Sequence, residues 1–196
     1  MNTQNMYALS LDQIANAIAT VGLKRTILVQ GHMGNGKSSL LKTLAERFPN
    51  HTPCYFDCTT KDLGDISIPS LNTEEGYVTY LPNEEFGIHL GKPLLINIDE
   101  LGKANPAVKN ALNITMLEHK VGTKKLPEGS IVFATTNLSA EGVGDLLPPH
   151  TRNRITIVTA RKSTSEEFIE WGINNEVDHS VLGFVREFPQ VLQGFE

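Results

Sequence analysis

Residues 31–38 read Gly31-His32-Met33-Gly34-Asn35-Gly36-Lys37-Ser38. This is the full pattern G-x-x-x-x-G-K-[ST], and its physics is specific. Glycines at these places let the backbone curl around an anion with no Cβ in the way, so that successive N–H groups point inward. Lys37 then reaches the terminal phosphates of a nucleoside triphosphate, and the Ser38 hydroxyl is placed to hold Mg²⁺. The candidate nucleotide-binding set is therefore Gly31, His32, Met33, Gly34, Asn35, Gly36, Lys37, Ser38 and Ser39. The flanks supply the context that the motif requires. Thr26-Ile27-Leu28-Val29-Gln30 is an apolar run suited to a buried strand. Leu40, Leu41, Leu44, Ala45 and Phe48 recur at helical spacing until Pro49 and Asn50 stop them. Strand, glycine-rich turn and helix put the phosphates at a helix N-terminus, which attracts anions.

The chain has 196 residues, 40% hydrophobic and 20% charged, an ordinary globular balance with room for one α/β domain and the start of a smaller one. Its net charge of −5 counts against a general nucleic-acid-binding surface. No apolar run approaches the length of a membrane span, and no basic-then-apolar leader opens the sequence. A cytoplasmic protein without a membrane partner is the expectation. Cys54 and Cys58 have no second Cys or His pair at ligand spacing, which favours buried reduced thiols over zinc.

Ser10-Leu11-Asp12-Gln13 has the form of a capping box, followed by Leu11, Ile14, Ala15 and Ile18 on one helix face and closed by Gly22. This helix either lies beside a bound base or simply covers the sheet. Cys54–Cys58 reads as a second strand. Residues 59–91 are polar and rich in turns, with Tyr77–Pro82 as one arm of a hairpin. Pro93–Glu100 is the clearest buried strand. Asn105 caps a helix that begins with Pro106 and is expected to run to about Lys120 and stop at Gly122. Ser130–Asn137 and Ile155–Val158 are further strands. Helices follow from Ser165, and Asp178 caps the second. Strands alternating with helices imply a three-layer αβα sandwich on a parallel sheet, the P-loop NTPase arrangement.

The second half of a hydrolytic site stands at strand ends, where open parallel sheets bind ligands. Asp99 closes an apolar strand and is placed to hold Mg²⁺ opposite Ser38. Glu100 is the candidate base for an attacking water, and Asn137 can hydrogen-bond both that water and the γ-phosphate. Arg152 and Arg154 read equally as solvated surface residues and as arginines supplied to a neighbouring subunit's γ-phosphate.

This ordered set resembles the AAA+ ATPases, with Gly31–Ser38 as Walker A, Leu94–Glu100 as Walker B, Asn137 as sensor 1 and Arg152 and Arg154 at the arginine-finger position. Lys61-Asp62-Leu63-Gly64, Tyr77–Pro82, Asp99-Glu100-Leu101, Asn105–Leu112, Ala134–Asn137 and the Leu-Pro-rich approach to Arg152 are most similar to the MoxR branch. The resemblance spans roughly residues 8–190. It implies ATP and ADP as ligands, Mg²⁺, a homo-oligomeric ring, usually a hexamer, and remodelling or activation of a partner protein. It also implies that residues 73–88 form an insert hairpin. On the same basis residues 1–162 form the nucleotide-binding core and 163–196 the start of a truncated helical lid. No second-sensor arginine motif occurs there, and Arg186 stands in a different context. Three other functions fit parts of the pattern: a nucleic-acid motor, a small P-loop kinase, and a nucleotide switch with little hydrolysis. The acidic balance counts against the first. Asp99, Glu100 and Asn137 suit water better than a kinase acceptor.

Overall fold

The computed structural model describes residues 8–138, 147 and 149–192. Its elements run β1 (Ala8–Leu9), α1 (Leu11–Val21), β2 (Ile27–Gly31), α2 (Leu40–Arg47), β3 (Thr52–Asp57), β4 (Ser67–Asn72), β5 (Tyr77–Pro82) and β6 (Leu94–Asp99). There follow α3 (Pro106–Glu118), β7 (Lys120–Val121), β8 (Lys124–Lys125), β9 (Ile131–Asn137), α4 (Pro149–Arg152), β10 (Thr156–Ala160), α5 (Ser165–Asn174) and α6 (His179–Glu187).

Six strands make one parallel sheet in the order β1-β10-β2-β9-β6-β3. Alternate side chains feed opposite faces. Ile27 and Val29 of β2 pack with Ile14, Ala15 and Ile18 of α1 and with Leu40 and Leu44 of α2. Leu28, from the same strand, packs on the other face with Val108, Leu112 and Met116 of α3. Helices on both faces of a parallel sheet form the αβα sandwich expected from the sequence. All six residues of β6 are buried, which explains its nearly unbroken apolar run.

Local signals place most helix ends. Ser10 and Gln13 make the reciprocal capping box on α1, Asn105 caps α3 with Pro106 behind it, and Asp178 caps α6. A second capping box, Thr164 with Glu167, starts α5. Cys54 and Cys58 are free and buried, and burial pushes both thiols up to about 12.

Several boundaries differ from the sequence reading; the last strand, for one, runs Thr156–Ala160 and not Ile155–Val158. The second strand is Thr52–Asp57, so Cys58 lies just past it. The helix behind the phosphate loop opens with a 3₁₀ turn over Lys37–Ser39. The third helix ends at Glu118, because His119 adopts a left-handed conformation with φ 51°. Lys120 and Val121 then pair antiparallel with Lys124 and Lys125, and Gly122 turns that hairpin instead of ending a helix.

The hairpin of residues 59–91 is β4 with β5, so it begins earlier than the insert implied by resemblance. Behind it, Phe86 is fully buried and stacks on Phe56 at 5.2 Å. At the far end of the chain, α5 and α6 pack through Gly172, where an added Cβ would stand 2.5 Å from Leu182. Bidentate bonds from Arg161 to Glu167, at 2.7 and 2.5 Å, tie the end of β10 to the first turn of α5. No helix among the described residues is long and apolar enough to cross a membrane. Leu146 and Pro148, part of the approach to Arg152, lie outside the described residues, as do residues 193–196 of the expected lid.

Candidate active site

The phosphate loop leaves the carboxyl end of β2 and passes close to β10. Gly34 and Gly36 take φ +78° and +74°, a region that only glycine enters freely. The buried Asn35 amide donates to the Ala160 carbonyl at 3.3 Å and ties the loop to the neighbouring strand. Ser39 Oγ donates to the Gly36 carbonyl at 2.7 Å, tightening the turn. Met33 is 75% exposed at the outer bend, and His32 contributes its carbonyl. Among the described residues, the amides of Gly34, Gly36, Lys37 and Ser38 find no acceptor. Four donors in one concave turn suit an oxyanion.

Lys37 is nearly buried, and its ammonium donates to the carbonyls of Gly31 at 2.9 Å and His32 at 2.8 Å and to Asn137 Oδ1 at 3.1 Å. Burial lowers its pKa, while the nearby charges of Glu100 and Asp99 oppose that shift. The Asn137 carboxamide is a bridge. Its oxygen accepts from Lys37, and its nitrogen donates to both Glu100 oxygens at 2.9 Å. Glu100 also pairs with Lys103 at 3.3 Å and holds a left-handed backbone, φ 54°. A non-glycine residue there marks local strain of the kind that gathers at functional sites.

Asp99 is the most heavily bonded group of the cluster. Strand register sets Thr135 beside it, and Thr135 Oγ1 donates to Asp99 Oδ1. The Glu100 amide donates to the same oxygen at 3.0 Å. Ser38 Oγ at 3.0 Å and Tyr55 OH at 2.8 Å donate to Oδ2. Burial pushes the Asp99 pKa up, but the three hydroxyls and the amide outweigh it and leave the carboxyl below its ordinary value. Asp99 is thus ionised at neutral pH. With the Ser38 hydroxyl it offers the hard oxygen donors that suit Mg²⁺, so these residues fit the cation that the motif implies.

Beside the loop lies a cavity of about 310 Å³, in the size range of small-molecule sites. Leu11 of α1, Gly36 and Thr43 line it together with Phe168 and Trp171 of α5. The first turn of α1 therefore borders the cavity, while its buried face covers the sheet. Of the two alternatives for that helix, sheet cover is what its packing shows.

Gly31–Ser39, Asp99, Glu100 and Asn137 thus come together at one sheet edge. Arg152 and Arg154 do not join them. Arg154 N bonds Thr151 O, Thr156 N bonds Thr26 O, and Thr156 pairs with Ile27. Both arginines therefore flank the amino ends of β2 and β10, at the edge opposite the loop. Sequence reasoning missed Tyr55, Thr135, Lys103 and the cavity residues of α5. Thr135 was within reach, since it precedes Asn137 by two and so shares its face of the strand. Tyr55 and Phe168 carried no local signal.

No protein-family model matches this sequence, and no curated protein is significantly similar to it. Solved structures are similar. A candidate ATPase from Cytophaga hutchinsonii aligns with a TM-score of 0.58 at 19% identity, over 88% of this chain and 53% of its own length. A proline-to-glycine mutant of RuvB from Thermotoga maritima aligns with a TM-score of 0.53 at 18% identity, over 84% of this chain and 52% of its own. The chain spans about half the length of these structures. The likeness shows the fold alone, the αβα sandwich of a P-loop NTPase core.

Proposed function

We propose that this chain binds ATP and hydrolyses it with Mg²⁺. The single observation that carries the reading is the Asn137 bridge, which joins the lysine of the phosphate loop to the acid at the end of β6. One side chain thereby senses both the phosphate side and the water side of a phosphoanhydride bond. The loop amides and Lys37 hold the β- and γ-phosphates, and the cavity between α1 and α5 takes the base. Ser38 and Asp99 hold the cation, which spreads the negative charge of the phosphoryl oxygens when bound. Glu100 orients a water and accepts its proton as the water oxygen bonds to the γ-phosphorus. The bond from that phosphorus to the bridging oxygen breaks, leaving ADP and inorganic phosphate. Asn137 keeps Glu100 and the phosphate in register.

The finer reading is a MoxR-like member of the AAA+ ATPases, working as a ring, usually of six copies, that remodels a partner protein. The position of Arg152 and Arg154 supports a ring. They stand at the sheet edge opposite their own loop, so on this reading any action on a γ-phosphate is in a neighbouring copy. One observation favours a second reading, a nucleotide switch with slow turnover: Glu100 is already engaged by Asn137 and Lys103.

The test is Glu100→Gln. ATP affinity stays within about twofold, while phosphate release falls roughly 10²–10⁴-fold, the range for a lost general base. Unchanged turnover in the variant rejects Glu100 as the base. Tight binding with negligible turnover already in the parent protein selects the switch.

A further inference from the structure

Three of the four donors on Asp99 come from the loop, from β9 and from the backbone beside it. The fourth, Tyr55, comes from β3, the outermost strand on that side of the sheet. Register pairs Tyr55 with Asn97 and Asp57 with Asp99, so Tyr55 and Asp99 are diagonal neighbours on one face. An aromatic side chain spans that diagonal, and the phenol oxygen ends 2.8 Å from Asp99 Oδ2. Packing does not account for the residue. Cys54 and Phe56, on the opposite face, carry the core contacts of β3, whereas Tyr55 is 49% exposed. Its hydroxyl, by contrast, is committed to one acceptor. That acceptor is also the oxygen that faces Ser38 at 3.0 Å.

We infer that Tyr55 is a positioning residue for the divalent cation, fixing the Asp99 carboxylate so that Oδ2 stays turned toward Ser38. This rests on the reading of Ser38 and Asp99 as the cation-holding pair. Thr135 and the Glu100 amide anchor Oδ1. Without the phenol, Oδ2 keeps a single donor, Ser38, and that hydroxyl belongs to the cation's own donor set. A tyrosine on an edge strand thus decides how well the carboxylate is oriented before a cation arrives. Groups that orient a ligating carboxylate govern metal affinity more than fold stability.

The experiment compares the full chain with Tyr55→Phe, which keeps the ring and removes only the hydroxyl. Binding of a fluorescent ATP analogue is followed while Mg²⁺ is titrated, and again in EDTA. The expected result is a rise of about tenfold in the Mg²⁺ concentration for half-maximal effect. Binding in EDTA and the melting temperature stay at the parent values. An unshifted Mg²⁺ midpoint overturns the inference and leaves the site reading intact. An equal loss of binding in EDTA, or a lowered melting temperature that accounts for the change, makes Tyr55 merely structural and also overturns it. If the parent protein shows no Mg²⁺ dependence at all, the reading of Ser38 and Asp99 fails, and the inference with it.

Discussion

The two edges of the central sheet handle their buried polar groups differently. At the carboxyl edge, Lys37 and Asn35 also bond backbone carbonyls, but Lys37 meets Asn137, Asn137 meets Glu100, and Ser38, Tyr55 and Thr135 meet Asp99, so a chain of side-chain to side-chain bonds is added. At the amino edge, Thr26 donates to the Met116 carbonyl at 2.6 Å. There too, Ser130 donates to the Pro127 carbonyl and accepts from the Leu94 amide. A backbone group inside a packed element has one position, so such a bond acts as a staple. Two side chains can both rotate, so their bond can be exchanged for a ligand and re-formed. The amino edge therefore holds the sheet to its helices, and the carboxyl edge is the surface that can change partners.

The hardest test of this contrast is Lys37→Ala. Removing a buried, paired charge costs roughly 3 kcal/mol of ligand binding, so ATP affinity should fall about 100-fold or more. The melting temperature should scarcely move, because burial already works against this ammonium. A large loss of stability with retained ATP binding breaks the contrast at its functional end.

Thr26→Val is the opposite case. It leaves the Met116 carbonyl buried without its donor, at a cost of about 1–3 kcal/mol seen in denaturant unfolding. ATP affinity should stay unchanged. A fall in affinity comparable to that of Lys37→Ala would mean that the two edges are not separable. The smallest effect belongs to Asn97→Leu, midway between the edges. Asn97 is fully buried, and neither amide atom has a hydrogen-bond partner among the described residues. A leucine of similar volume should be neutral or stabilising by up to about 1 kcal/mol. Weakened Mg²⁺-dependent ATP binding in that variant would instead assign Asn97 to the carboxyl-edge network, since it shares a strand face with Asp99.

Much of the carboxyl edge was legible before any fold was known. The spacing of Gly31, Gly36, Lys37 and Ser38, the acids at the end of the β6 run and the asparagine at the end of β9 each sit where a strand stops. Capping by Ser10, Asn105 and Asp178 was equally plain, because a cap acts within four residues of itself. The end of α3 was not, since His119 gave no sign of a left-handed turn and Gly122 looked like the natural stop. Nor was β4 recognisable as the partner of Tyr77–Pro82: Ser67–Asn72 is a half-exposed strand with a proline inside it.

The amino-acid sequence by itself determined the nature of the site: a turn only glycines can make, a lysine, a hydroxyl, two acids and an amide, all in positions set by short-range backbone geometry. Which of them touch was decided by the tertiary structure. Strand order and register bring Thr135 and Tyr55 to Asp99 and Asn137 to Glu100, and the docking of α5 brings Phe168 and Trp171 to the wall of the cavity. The same register sends Arg152 and Arg154 to the far edge. The physical reason is one of range. A cap or a tight turn is settled by atoms a few residues apart, whereas strand neighbours and cavity walls are chosen by burial of the whole apolar surface at once.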